Sequence, residues 1–131
     1  MTCRAIFDSA VALLCEDPTD SSRIFDYTER APYLLAMVAS QCHATDTQYR
    51  VSHGLEAAEV LTDATIPLED EFPLSPILAP AAVYYVAAML VADENEALSD
   101  KLFALYTDAV STVGASLPAK TETINDVYGL I

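Results

Sequence analysis

The segment APAAVYYVAAMLVA, Ala79–Ala92, carries no charged residue. It constrains the fold more than any other stretch. Pro80 is well placed in the first turn of a helix, where its missing N–H costs nothing. From there to Ala92 the helix is apolar on every side, and the hydroxyls of Tyr84 and Tyr85 are its only polar handles. A helix apolar all round belongs inside a protein or a membrane. A membrane span needs about 20 apolar residues, and this run is too short for that even when counted back to Ile77. The segment is therefore expected to be the central rod of a helical core. Burying its five or six large side chains contributes on the order of 10 kcal/mol before entropy. Such a surplus also suggests that neighbouring subunits help to cover it.

The rest of the chain must wrap this rod while staying acidic. Its 131 residues fit one domain. The balance of 20 Asp+Glu against 6 Lys+Arg gives a formal net charge of -14. Contacts to a nucleic-acid backbone need Lys and Arg, so direct phosphate binding is disfavoured. A strongly negative surface can instead repel DNA or imitate it. Only 3 Gly and abundant Ala and Leu favour helix over sheet.

Four further segments read as helix or as its interruption. Cys3 to about Cys15 is amphipathic, with Thr2 as cap and Ile6, Phe7, Ala10, Val11, Leu13 and Leu14 on its apolar face. It has an acid inside and no convincing cleavage site, so it reads as an ordinary helix rather than a signal peptide. The segment from Ser22 repeats Ile24, Tyr27, Ala31, Leu34, Leu35 and Val38 at helical spacing, with Asp26 and Arg30 able to pair at i,i+4. Pro32 allows either one kinked helix or, as the favoured expectation, a short helix followed by a second starting near Pro32. From His43 to Ser75 the pattern is irregular: TQYRVS alternates like a short strand, GLEAAEVL suggests a turn or two of helix, and Ile66–Pro76 reads as an extended link with Phe72 and Leu74 tucked onto the core. The last long helix, from Glu94, carries the stripe Leu98, Leu102, Leu105, Tyr106, Ala109, Val110 and Val113, ends at Gly114, and should return antiparallel along the rod.

The expected fold is therefore mainly all-α: a small bundle of four to five helices with a long irregular connection. Residues 1–115 form the helical domain, and 116–131 form an extended C-terminal tail.

Catalytic patterns are scarce. The three glycines cannot build a phosphate loop. His43 and His53 follow Cys42 and Ser52 directly, which does not bring nucleophile and base together. Cys3, Cys15 and Cys42 form no CxxC pair and read as small apolar thiols in a reducing compartment. The run Glu69-Asp70-Glu71 lacks the alternating oxygens and Gly of a calcium loop and reads as a solvated face. No catalytic residue, cofactor or metal is expected, and the tyrosines read as core or interface anchors.

The segments DYTERAPYLLA, IPLEDEFPL and LAPAAVYYVAAMLVADENEALSDKLFALYTDAV resemble small tailed-phage and prophage head–tail connector (adaptor) proteins. The resemblance covers residues 26–36 and 66–110, with Arg30, Pro32, Tyr33, Tyr84, Tyr85, Leu98, Phe103 and Tyr106 at matching motif positions. It implies a structural virion protein, not an enzyme. Such a subunit forms a homo-oligomeric ring that docks on the portal protein, extends the DNA channel and meets neck or tail proteins. DNA would pass through without specific binding, and an acidic wall would keep phosphates from sticking. The resemblance places the protein in the virion neck after synthesis in the host bacterial cytoplasm, with no membrane partner. Candidate oligomer and portal contacts are Tyr84, Tyr85, Phe103 and Tyr106 on the helices, with Glu122, Thr123, Ile124, Val127, Tyr128, Leu130 and Ile131 on the tail, where an added strand is one mode of docking. The competing readings are an acidic inhibitor or DNA mimic, and a tail terminator or assembly accessory protein.

Overall fold

The computed structural model describes residues 1–14 and 21–117. Four α-helices make up most of it: α1 (Cys3–Leu13), α2 (Ser21–Ser52), α3 (Ala79–Val91) and α4 (Glu96–Ala115), with a 3₁₀ turn over Pro76–Leu78 leading into α3. No strand forms among the described residues beyond a single antiparallel bridge between Thr2 and Glu71. None of the described helices is long and apolar enough to cross a membrane. The expected mainly helical bundle is the fold.

The uncharged rod is α3, and it is the centre. Val86, Ala87, Ala88 and Leu90 have no exposed surface, Pro80 faces out, and Tyr84 and Met89 are half-buried. The other three helices all pack on it. The short connection Ala92–Asn95 turns the chain back, and Asn95 caps α4 by accepting from the Leu98 N–H at 3.1 Å. α4 then runs antiparallel to α3: Ser99 Oγ donates to the Ala88 carbonyl at 2.8 Å, and further along the rings of Tyr85 and Tyr106 meet edge-on at 5.1 Å. One expectation fails here. The rod does not exceed what its own chain can cover, because three helices and the 66–78 connection bury all of it but Pro80 and parts of Tyr84 and Met89.

α1 is capped on two sides. Thr2 Oγ1 accepts from the Ala5 N–H at 3.1 Å, as the sequence suggests. The N–H groups of Cys3 and Arg4 donate to the carbonyls of Asp70 and Leu68, both at 2.9 Å. The open amides of the first turn are thus satisfied by the acidic link. Leu14 follows the last helical residue, so the expected end near Cys15 falls beyond the described residues, and Leu13 points outward.

α2 departs most from expectation. Pro32 neither ends it nor starts a new helix; the helix is continuous from Ser21 to Ser52. The buried positions Tyr27, Ala31, Leu35, Val38 and Cys42 keep helical spacing straight through the proline. Packing of that stripe outweighs the roughly 3 kcal/mol that proline costs a helix interior. The Pro32 carbonyl accepts from the Ile66 N–H at 3.1 Å, which docks the link against the helix. TQYRVS is the last turn and a half of α2, not a strand, and GLEAAEVL is irregular, not helical. Gly54, at φ 73°, stops α2 in a Schellman motif: its N–H meets the Val51 carbonyl at 3.1 Å, and the Leu55 N–H meets the Arg50 carbonyl at 2.8 Å.

The link after α2 is extended as expected, with Ile66, Leu68, Phe72 and Leu74 buried and Glu69, Asp70 and Glu71 outside. At the other end, Gly114 does not end α4, which continues to Ala115 with Ser116 as its cap. Leu105, assigned to the apolar stripe, is exposed on the outer face.

Candidate functional site

The residues with chemical potential are mostly engaged in holding the fold. His43 Nε2 lies 3.0 Å from the Ala58 carbonyl and pins the irregular 55–61 stretch. His53 stacks on Tyr49 at 4.3 Å, with Nδ1 2.8 Å from the Tyr49 carbonyl. Nδ1 also lies 3.0 Å from Ser52 Oγ, so this adjacent hydroxyl and imidazole do meet, contrary to expectation. They do so on an exposed turn, where Ser52 Oγ donates to the Tyr49 carbonyl at 2.8 Å. Neither imidazole faces a thiol, and no group of three or more metal-ligating side chains occurs among the described residues. Arg4 meets Glu69 at 3.4 Å, and every described acid except Asp46 is exposed.

Cys3 and Cys42 are free and buried. Burial, then the nearby Asp70 and Glu71, push the Cys3 thiol up to about 11. Burial likewise raises Cys42. Both thiols are thereby kept protonated and unreactive at neutral pH.

Two polar clusters lie inside the fold. Tyr106 Oη donates to Gln41 Oε1 at 2.8 Å, Gln41 Nε2 donates to Tyr85 Oη at 3.3 Å, and the Cys42 sulfur lies 3.7 Å from Tyr106 Oη. One amide on α2 thus serves a hydroxyl from α3 and another from α4. Burial raises both tyrosine pKa values, so they act as neutral hydrogen-bonding groups. In the second cluster the fully buried Asp46 accepts from Arg50 Nε and from the Ser75 N–H, both at 2.8 Å, while Arg50 Nη2 donates to the Pro73 carbonyl at 3.0 Å. This clamp fixes the link at the entrance to α3.

What remains open is a surface. Phe25, Tyr33 and Met37 lie on the outer face of α2 with 66%, 58% and 49% of their surface exposed. Beside them, α2 and the link form two shallow hollows that meet at Tyr33. One is lined by Ala36, Met37, Gln41 and Ala64, the other by Arg4, Thr28, Pro67 and Leu68. A third, more enclosed hollow of about 160 Å³ lies beside His43, Glu59 and Leu74. That is below the roughly 300–1,000 Å³ typical of small-molecule sites.

The sequence-derived contact residues separate in this light. Tyr85 and Tyr106 are interior, at 2% and 8% exposure, and are core anchors unavailable to a neighbour. Tyr84 is half-buried, and Phe103 is open with its ring 5.5 Å from that of Tyr106. Glu122, Thr123, Ile124, Val127, Tyr128, Leu130 and Ile131 lie outside the described residues. Sequence reasoning missed Phe25 and Met37; Met37 lies one turn from Tyr33, whereas the exposed Glu29 stands between Phe25 and Tyr33. It also missed the Asp46–Arg50 pair, whose i,i+4 spacing was a helix signal.

Comparison of the chain with protein-family models, curated proteins and solved structures returned no match.

Proposed function

We propose that this chain is a structural subunit of the head–tail connector of a tailed phage, assembling as a ring beneath the portal. The observation that carries the reading is the exposed pair Tyr33 and Met37, one turn apart on α2 beside a groove, on a chain whose core is already closed. Isolated exposed apolar residues are ordinary, but an aromatic side chain and a Met one turn apart beside a groove suit a protein contact. The resemblance across residues 26–36 and 66–110 gives that contact its context, since Tyr33 is one of its motif positions. The helical fold, cross-tied by the Gln41 and Asp46 hydrogen-bond clusters, suits a rigid building block. The exposed acids suit a channel wall that does not retain DNA.

A ring of identical subunits requires two different patches on each copy, because a head-to-tail contact closes only when unlike surfaces meet. The α2 pair is one. The open flank of α4 around Phe103 is the candidate for the other. The test is to express the chain together with the portal protein of the same phage genome and image the purified particles. The expected result is an annular layer of this chain beneath the portal ring, lost in Tyr33→Glu/Met37→Glu. Portal rings that never carry the chain overturn the reading.

A further inference from the structure

The groove beside α2 has a candidate occupant within the same sequence. Its two hollows meet at Tyr33 and run between α2 and residues 63–69 of the link. The described structure leaves it uncovered, although Tyr33 and Met37 project into it. The chain continues beyond Leu117 for the residues 118–131, which end INDVYGLI. That final stretch holds Ile124, Val127, Tyr128, Leu130 and Ile131, with Asp126 as its only charge. In a chain of formal net charge -14, a nearly neutral, apolar octet is the exception. The Met37 half of the groove is its counterpart, with Asp63 the one acid among its lining residues.

Reach is consistent with this pairing. Gln41 and Cys42 of α2 both meet Tyr106 of α4, which sets the level of one helix against the other. The two helices run in the same direction, because each is antiparallel to α3: Arg30 of α2 meets Met89, and Gln41 meets Tyr85, just as Ser99 and Tyr106 of α4 meet Ala88 and Tyr85. α4 therefore ends about 14 Å beyond the level of Gln41, and Met37 lies about 6 Å before it, at 1.5 Å per residue. The distance to be covered back along the bundle is about 20 Å. Residues 118–123, which are polar apart from Pro118 and Ala119, span about 20 Å when extended. A stretch of that length can bring Ile124 to the level of Met37.

We infer that the groove between α2 and residues 63–69 is the docking site for the C-terminal segment Ile124–Ile131 of this chain. Tyr33 and Met37 supply the apolar contact, and the link supplies the opposite wall. The inference claims the Tyr33–Met37 surface that the ring reading also uses, and it is tested on the isolated full-length chain without a portal. Met37 is replaced by the photoreactive p-benzoylphenylalanine, the protein is irradiated, and the products are mapped by mass spectrometry. The expected product joins position 37 to a peptide within 118–131, and Leu130→Asp/Ile131→Asp reduces its yield to background. Crosslinks confined to α1–α4 of a second copy, no crosslink at all, or a yield unchanged by the two acidic substitutions would each overturn the assignment. Electrophoresis separates docking within one chain from docking between copies: either one supports the docking site, and docking within one chain overturns the ring contact assigned to Tyr33 and Met37, which it would cover.

Discussion

Arg30 Nη2 donates to the Met89 carbonyl oxygen at 2.8 Å, so a side chain of α2 closes the C-terminal end of α3. Its Nη1 reaches the Leu90 carbonyl at 3.3 Å. The last carbonyls of a helix have no internal donors and carry partial negative charge. An apolar helix such as α3 has no side chain of its own to serve them. Arg30 also lies 3.6 Å from Asp26, the i,i+4 pair visible in the sequence, but that contact is largely exposed.

Replacement of Arg30 should therefore cost much more than replacement of its acidic neighbour. Arg30→Met keeps the apolar stem and loses about 1.5–3 kcal/mol, the worth of charged hydrogen bonds. Asp26→Asn changes stability by less than about 0.5 kcal/mol. Urea denaturation of the two variants measures both, and equal losses would assign Arg30 to the surface pair instead.

The Asp46 clamp makes a separate prediction about the link. Asp46→Ala leaves Arg50 Nε and the Ser75 N–H without their acceptor in a buried setting. Arg50 is partly exposed and keeps the Pro73 carbonyl, so the loss is that of unsatisfied buried donors, about 1–3 kcal/mol. Asp46→Asn retains an acceptor for Ser75 and should lose less. Amide hydrogen exchange at Ser75 reports the clamp directly: its protection should collapse in Asp46→Ala while that of α3 falls only with global stability.

The difference between what the residues disclosed and what they concealed follows from the range of the interactions. The Thr2 cap and the rod Ala79–Val91 rest on neighbours in sequence or on an unbroken apolar run, so local reasoning reached them. The path of α2 through Pro32 rests on a buried stripe that continues on both sides, and on Ile66, which arrives from a distant part of the chain to use the Pro32 carbonyl. Local proline chemistry could not register either. TQYRVS alternates over too few residues to outweigh the Asp46–Arg50 pair and the Gly54 stop that frame it as helix. At the surface the limit was different. Tyr85 and Phe103 are both aromatic residues on helices packed against one another, and only the register of α3 against α4 decides that one is interior and the other open.

Alkaline conditions should weaken the fold in a defined window. The Cys3 thiol is raised from 9.0 to about 11, chiefly by burial. Above pH 9 the unfolded chain gives up that proton while the folded chain retains it until about 11. The unfolded state then binds fewer protons, so stability falls as pH rises. The contribution is complete below pH 9 and is lost through pH 11. Cys42, Tyr85 and Tyr106 are displaced in the same direction by burial and reinforce the decline. Melting temperatures across pH 8–12 should drop in the wild type, and Cys3→Ala should flatten the portion between 9 and 11. An identical slope in the variant would remove Cys3 from the explanation.

Two glycines should respond to alanine with opposite signs. A Cβ at either Gly54 or Gly114 would meet nothing within 4 Å, so space does not distinguish them. Backbone conformation does. Gly54 has φ 73° and ends α2 in the left-handed region, where a side chain costs about 1–2 kcal/mol. Gly114 lies inside the last turn of α4, where glycine is about 0.5–1 kcal/mol worse than alanine. Gly54→Ala should therefore lower the denaturation midpoint and Gly114→Ala should raise it, with Gly54→Asn closer to wild type because asparagine tolerates the left-handed conformation. A midpoint for Gly114→Ala below wild type would mean that α4 stops before Ala115. Loss of the Gly54→Ala penalty would mean that α2 does not end in the Schellman turn.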